Sequence, residues 1–232
     1  LEAELFLVLH LMRAGRLRWV GPKGKPPARI ALGVFEFPSG SIVFTEAGTK
    51  RRASLHLVQG EAALAAHDPG GLEVLETNRA TFMQRLRSEN HPLKRALTAP
   101  QLFSGIGGAY SDEILFRAQL SPVSLTSSLA DDEIVRLFEA TKSVLKEWTD
   151  RLRKEAGDEF PSTVTAFREE MAVHGRFGKP CVVCAAPIQR IVYAETETNY
   201  CARCQTGGRI LADRALSRLL HKSWPKTLDE LE

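Results

Sequence analysis

The sequence predicts an α+β protein in consecutive parts: first β, then helical, then a small metal-clamped β-hairpin. Three observations predict it. Residues 1–66 are short apolar or alternating runs broken by Gly, Pro and Ser clusters. A long helical face starts at Asp131. All four cysteines fall between residues 181 and 204.

The elements follow in order. "ELFLVLHLM", "RLRWV", "RIALGVFEF" and "SIVFTEA" are short runs with strand character, and "GPKGKPP" and "PSGS" supply the turns between them. "HDPGG" at 67–71 breaks any regular element and marks a boundary, so residues 1–66 form the first domain. Residues 72–170 read as helical. In "DDEIVRLFEATKSVLKEWTDRLRKEAG", Ile134, Leu137, Phe138, Leu145, Trp148 and Leu152 fall on one helical face. Asp131, Asp132 and Glu133 suit the positive end of that helix dipole. Residues 171–206 hold the cysteine module. Residues 207–232 read as a short helix, "LADRALSRLL", and a tail.

The 232 residues are 44% hydrophobic and 25% charged, the composition of an ordinary globular protein. No apolar run reaches the roughly 18 residues of a membrane span. "LFLVLHLM" lacks a basic leader and a small-residue cleavage site, so it reads as a buried strand rather than a signal peptide. Thiols confined to one short region argue against a secreted disulfide scaffold and for a reducing cytosol. The formal net charge is only +3, but from His174 to Lys226 nine Lys and Arg face three Asp and Glu. A locally basic C-terminal module suits phosphate contacts.

Cys181, Cys184, Cys201 and Cys204 form C-x2-C-x16-C-x2-C, the spacing of a zinc site. Two thiolates separated by two residues bind one ion from a tight turn. Two such turns complete a closed, structural four-thiolate site. "QRIVY" has strand character, "AETET" is a turn and "TNYC" returns, which gives a β-hairpin clamped at its ends. Two disulfides are the alternative. Upstream, "FSGIGGAYSDEILFRA" sets Gly105, Gly107 and Gly108 before a helix from about Ala109 to Leu120. Free N–H groups at a helix start favour an anion, commonly a phosphate. A tight glycine-rich turn is the bland alternative.

Together these segments resemble the formamidopyrimidine-DNA glycosylase / endonuclease VIII family of base-excision repair enzymes. "GIGGAYSDEILFRAQLSP" is similar to its helix-two-turn-helix motif, and "HGRFGKPCVVCAAPIQRIVYAETETNYCARCQ" to its zinc finger. "LVLHLMRAGRLRW" resembles an interior strand of its N-terminal β-sandwich, and the likeness spans most of residues 4–206. The resemblance implies a partial N-terminal antiparallel β-sandwich, a helix-two-turn-helix domain and a C-terminal zinc finger with one structural Zn2+. It implies a bacterial, cytoplasmic, nucleoid-associated monomer that binds double-stranded DNA at a damaged or abasic site, with no membrane role.

Family members flip a damaged base and cut its glycosidic bond, using an N-terminal proline as nucleophile, the following glutamate and an early lysine. None of the three is assigned here. "LEAELFLVLHL" aligns beyond that lysine, so Glu2 is not the catalytic glutamate, and the catalytic residues are expected before Leu1. Other positions carry over singly. Lys94 in "HPLKRAL" lies where the family contacts backbone phosphate. An exposed solubilising lysine is the alternative. Gly107 and Gly108 occupy the phosphate turn, with Gly108 where the family usually has Asn. Tyr110 matches a family aromatic and suits core packing. The finger arginine of many members falls at Thr196, so Arg190 and Asn199 stand in for DNA contact. The methionine that fills the emptied base site falls at Met12 or Arg13. The arginine–phenylalanine pair falls in "TEAGTKRRASL", where Lys50, Arg51 and Arg52 enter the duplex, hold phosphates, or form a solvated loop.

The resulting expectation is a DNA glycosylase with AP-lyase activity. The alternatives are a non-enzymatic damage-binding protein of the same fold and a zinc-ribbon protein-interaction module.

Overall fold

The computed structural model describes residues 3–12, 14–47, 49–161, 166–193, 196–212, 218–220 and 224–231. The chain divides into two compact units, residues 1–69 with 153–164 and residues 70–152 with 165–232.

The first unit carries β1 (Leu5–His10), β2 (Gly15–Val20), β3 (Ala31–Phe37), β4 (Gly40–Glu46) and β5 (Ser54–Gln59). They form two antiparallel sheets, β1–β5 and β2–β4–β3. The four expected runs all lie in strands. β5 is a fifth strand beyond those runs, and its Leu55 and Leu57 are exposed. α1 (Glu61–Ala65) interrupts the part expected to be β; "EAALA" is built from strong helix formers. At the β3–β4 turn, Gly40 has φ 145°, and a Cβ there would lie 2.6 Å from the Trp19 ring. Only glycine meets both demands. Burial concentrates in β4, where Val43, Phe44, Thr45 and Glu46 are all inside.

The second unit contains α2 (Arg79–Arg87), α3 (Leu93–Leu97), α4 (Gly108–Ala118) and the start of α5 (Asp131–Ala156). Asn78 caps α2 by accepting the Thr81 N–H at 3.0 Å. Glu133 reaches back to the Ala130 N–H at the start of α5, 3.0 Å away. The core gathers Phe82, Leu86, Leu97, Phe103, Ile114 and Leu137, all essentially inaccessible. Each contributes about 1.5–3 kcal/mol by leaving water. Tyr110 packs edge-on to Trp148 at 5.9 Å, the core role that its sequence position suited.

β6 (Gln189–Tyr193) and β7 (Thr196–Tyr200) form the antiparallel hairpin, followed by α6 (Ala202–Thr206). Phe116 of α4 packs with Val173, Ile188, Cys181 and Cys201 in one buried cluster. That contact explains why the helical part and the finger fall in one unit rather than two. The chain after the finger returns across it: the Ile210 N–H donates to Lys226 O at 2.8 Å and the Leu228 N–H to Gly208 O at 3.0 Å. The Leu211 N–H donates to the Tyr200 hydroxyl at 2.8 Å. Burial pushes that phenol up to about 12. Residues 213–217 of the short helix expected over 211–220 lie outside the described residues. Among the described residues no helix is long and apolar enough to cross a membrane.

Candidate nucleic-acid interface and metal centre

The four cysteines converge. Their sulfurs all lie within 4.8 Å of one another, with Cys184–Cys201 at 3.4 Å and Cys181–Cys204 at 3.9 Å. A tetrahedral site with Zn–S near 2.3 Å requires sulfur separations of about 3.8 Å, so the residues present fit one zinc ion. No disulfide joins them. Burial pushes the Cys201 thiol strongly up and that of Cys204 to about 11. Burial also acts upward on Cys184, but the Ala186 amide and the neighbouring thiols outweigh it and bring that thiol down. The set is closed on all sides by protein sulfur, which leaves no open position for substrate.

The glycine turn begins α4. Gly107 is its N-cap and both Gly107 and Gly108 are exposed. The first helical bond runs from the Ser111 N–H to Gly107 O at 3.0 Å, and the Gly108 and Ala109 amides lie ahead of it at the helix start. Lys94 on α3 reaches this turn. Its Nζ donates to Gly108 O at 2.6 Å and to Asp112 Oδ1 at 2.5 Å. Burial holds the Lys94 ammonium below the usual lysine range, with Asp112 acting against that effect. Lys94 is therefore a fixed cation at the mouth of the turn, not a solvated surface lysine.

The finger is bolted to α4 by side chains that pattern reading missed. Glu113 is buried and accepts the N–H groups of Ala172, Val173 and His174 at 2.8, 3.0 and 2.9 Å. Gln205 donates to Leu120 O at 2.9 Å and accepts the Cys201 N–H at 2.8 Å. Adjacent carboxylates after a glycine turn were the available signal, but their partners lie about sixty residues away.

The two proposed finger contacts separate. Arg190 is exposed on β6, with its guanidinium 4.3 Å from the Phe177 ring and 3.5 Å from Glu197. Stacking and the ion pair hold it at the surface. Asn199 has no surface role here. It is 1% exposed, accepts the Gly175 N–H at 2.8 Å and donates to Glu197 Oε1 at 2.7 Å. Both ends of its amide are engaged inside, unlike the exposed polar group expected there. Thr196 opens β7 and its hydroxyl donates to Tyr193 O.

In the first unit, Lys50, Arg51 and Arg52 are exposed. Arg51 donates to Arg29 O at 2.7 Å. The loop is shaped by buried Glu46, whose two oxygens accept the N–H groups of Arg52 and Ala53 at 2.9 and 3.0 Å. Met12 is 42% exposed with φ 51°, a left-handed backbone rare for methionine. Arg13 lies outside the described residues.

Comparison with known proteins finds the same parts. The family described as "Formamidopyrimidine-DNA glycosylase H2TH domain" matches residues 71–154, and "Zinc finger found in FPG and IleRS" matches residues 178–207. The chain is 33% identical over 218 residues to the formamidopyrimidine-DNA glycosylase of Heliobacterium modesticaldum, covering 88% of this chain and 76% of that protein. It is 35% identical over 150 residues to an uncharacterized formamidopyrimidine-DNA glycosylase-like protein of Mycobacterium tuberculosis, covering 65% of this chain and 93% of that one. With several other curated relatives the match spans about half of their length. A crystal structure of Lactococcus lactis Fpg with DNA containing an abasic site superposes with TM-score 0.73 at 22% identity, over 87% of this chain and 75% of that one. That likeness establishes a shared fold.

Proposed function

The chain belongs to the formamidopyrimidine-DNA glycosylase / endonuclease VIII family, and from that premise we propose that it works in base-excision repair, gripping duplex DNA at a damaged or abasic site. The observation that carries this reading is Lys94 held at the open amide end of α4. A cation stands beside the exposed Gly107–Gly108 turn at a helix N-terminus, the chemistry that a backbone phosphate requires. Arg190 adds a second exposed cation on the finger. Arg51 and Arg52 add cations on a braced loop of the first unit. Such contacts fix register on the duplex, while a flipped base is read in a pocket.

The finer reading is a bifunctional glycosylase and AP lyase, working in the bacterial cytoplasm at the nucleoid as a monomer. One observation favours a second reading, damage binding without chemistry. The amine at the phosphate turn, Lys94, is engaged by Asp112 and Gly108 rather than free to attack a sugar. The test is fluorescence anisotropy with a duplex carrying a tetrahydrofuran abasic analogue, against the same duplex undamaged. Preference for the abasic duplex supports the reading. Equal, weak binding to both overturns it. Release of 8-oxoguanine or nicking of an abasic strand separates enzyme from binder.

A further inference from the structure

Asp112 has no accessible side-chain surface, and each of its oxygens is claimed by a different basic group. Lys94 Nζ lies 2.5 Å from Oδ1 and His174 Nδ1 lies 2.9 Å from Oδ2. A carboxylate only accepts, so the His174 hydrogen bond requires the proton on Nδ1. A second proton can then enter only at Nε2. The imidazole is itself nearly buried, its ring 4.9 Å from that of Phe167.

The charge of this trio has two settings. With Nε2 bare, Lys94 and Asp112 cancel. With Nε2 protonated, the trio carries one net positive charge. The Lys94 ammonium also touches Gly108 O, so the difference is presented at the open end of α4. An imidazolium draws the Asp112 carboxylate toward itself and loosens its hold on Lys94. A phosphate in the turn favours the positive setting by simple Coulomb attraction, which protein surroundings screen less than water does.

We propose that His174 is a proton-linked positioning residue: a proton taken from solvent at Nε2 frees Lys94 toward the phosphate in the Gly107–Gly108 turn, so binding of DNA there takes up one proton. This rests on the reading above that the turn holds a DNA phosphate. Three further charged groups near the trio must be weighed. Glu113 on α4 is committed to backbone amides, including that of His174. Glu197 on β7 acts on Lys94 from the finger side and is shared with Asn199 and Arg190. Arg176, on the same segment as His174, is turned to the carbonyls of Glu169 and Pro180. None of these replaces His174 as a direct partner of Asp112.

The experiment measures the Kd of the full chain for a tetrahydrofuran-containing duplex from pH 5.5 to 8.5 at fixed ionic strength. Affinity should rise as pH falls across this window, by at most about tenfold per pH unit, the limit for one linked proton. His174→Asn keeps an N–H donor near the Nδ1 position but cannot gain a proton. It should bind like the parent at pH 8.5 and lose most of the slope below. A parent-like slope in H174N overturns the proposal, as does a flat profile in the parent. Those two results leave DNA binding itself intact. Absence of binding at every pH overturns the functional reading and this proposal with it. Should H174N not fold, NMR of the parent decides. At one fixed pH the His174 ring signals should shift toward the doubly protonated form when the duplex is added, and unmoved signals overturn the proposal.

Discussion

Glu113 Oε1 accepts the backbone N–H of His174 at 2.9 Å, across sixty-one residues of sequence. The same carboxylate takes the N–H groups of Ala172 and Val173, so one side chain ends three backbone donors. Glu113→Ala would leave those amides buried and unpaired, at about 1–3 kcal/mol each before relaxation. The expected loss in urea unfolding is at least about 3 kcal/mol, together with faster zinc release to a chelating dye. A loss under about 1 kcal/mol would show that the finger is anchored elsewhere.

The cysteine cluster predicts one zinc per chain. Burial raises the Cys201 and Cys204 thiols, so without metal these groups hold their protons at neutral pH. Loading zinc must expel them, and weakly buffered apo-protein should release at least about two protons per zinc at pH 7, from Cys201 and Cys204. Retention should weaken as pH falls, because protons then compete for the sulfurs. Cys201→Ala should unfold the finger and abolish duplex binding. Metal analysis near zero in fresh reduced protein would refute the site.

What the sequence disclosed, and what it withheld, follows from the range of the interactions. The strands, the long helix at Asp131 and the four-thiol cluster rest on local patterns: alternation, a helical stripe, a two-residue spacing. Cys184 and Cys201 could be paired because metal-ligand spacing is itself a local code. Asn199 failed that approach. Nothing in "ETETNYC" tells that its amide turns inward to Gly175. Glu46, Glu113 and His174 were equally silent, since their partners are backbone amides or side chains brought near only by folding. β5 went unread for a different reason: "SLHLV" alternates as a strand should, but its first residues fall in the basic "TEAGTKRRASL" stretch read as a loop.

Lys94 and Gly108 define one end of the site, and substitutions there should act in opposite directions. Gly108 is exposed, its φ lies outside the left-handed region, and a Cβ would meet nothing within 4 Å. Gly108→Asn should therefore fold normally and tighten abasic-duplex binding by at most about 1.5–3 kcal/mol, one hydrogen bond to a charged phosphate. Weaker binding at fixed salt would mean that the turn is built differently.

Lys94→Met should weaken binding and lower the salt slope, log Kd against log salt, by about 0.9, the share of one phosphate contact. It also strips Asp112 of one partner, so stability should fall, toward the low end of the about 3–5 kcal/mol seen when buried pairs are broken, because His174 remains. The pH sign is fixed by burial, which lowers the Lys94 ammonium. Its charge therefore fades, as pH rises, before a solvated lysine would lose its own. An unchanged salt slope would show that Lys94 is purely structural.

The last prediction separates grip from chemistry. Glycosidic cleavage needs a positioned nucleophile with a matched acid or base. In this chain the amine that stands at the glycine turn, Lys94, is held by Asp112. The polypeptide of residues 1–232 should therefore bind abasic duplex yet leave it uncut, and borohydride should trap no protein–DNA adduct. The assay carries its own control for the strongest rival. Lys94 holds the amine nearest the phosphate turn, and burial makes it easier to deprotonate than an ordinary lysine. Asp112, 2.5 Å away, opposes that by favouring the ammonium, which is no nucleophile. A trapped adduct that disappears in Lys94→Met would overturn the prediction and make Lys94 the Schiff-base lysine. An adduct that survives in that variant would point to another amine of the chain. No adduct, with abasic binding intact, is the expected result.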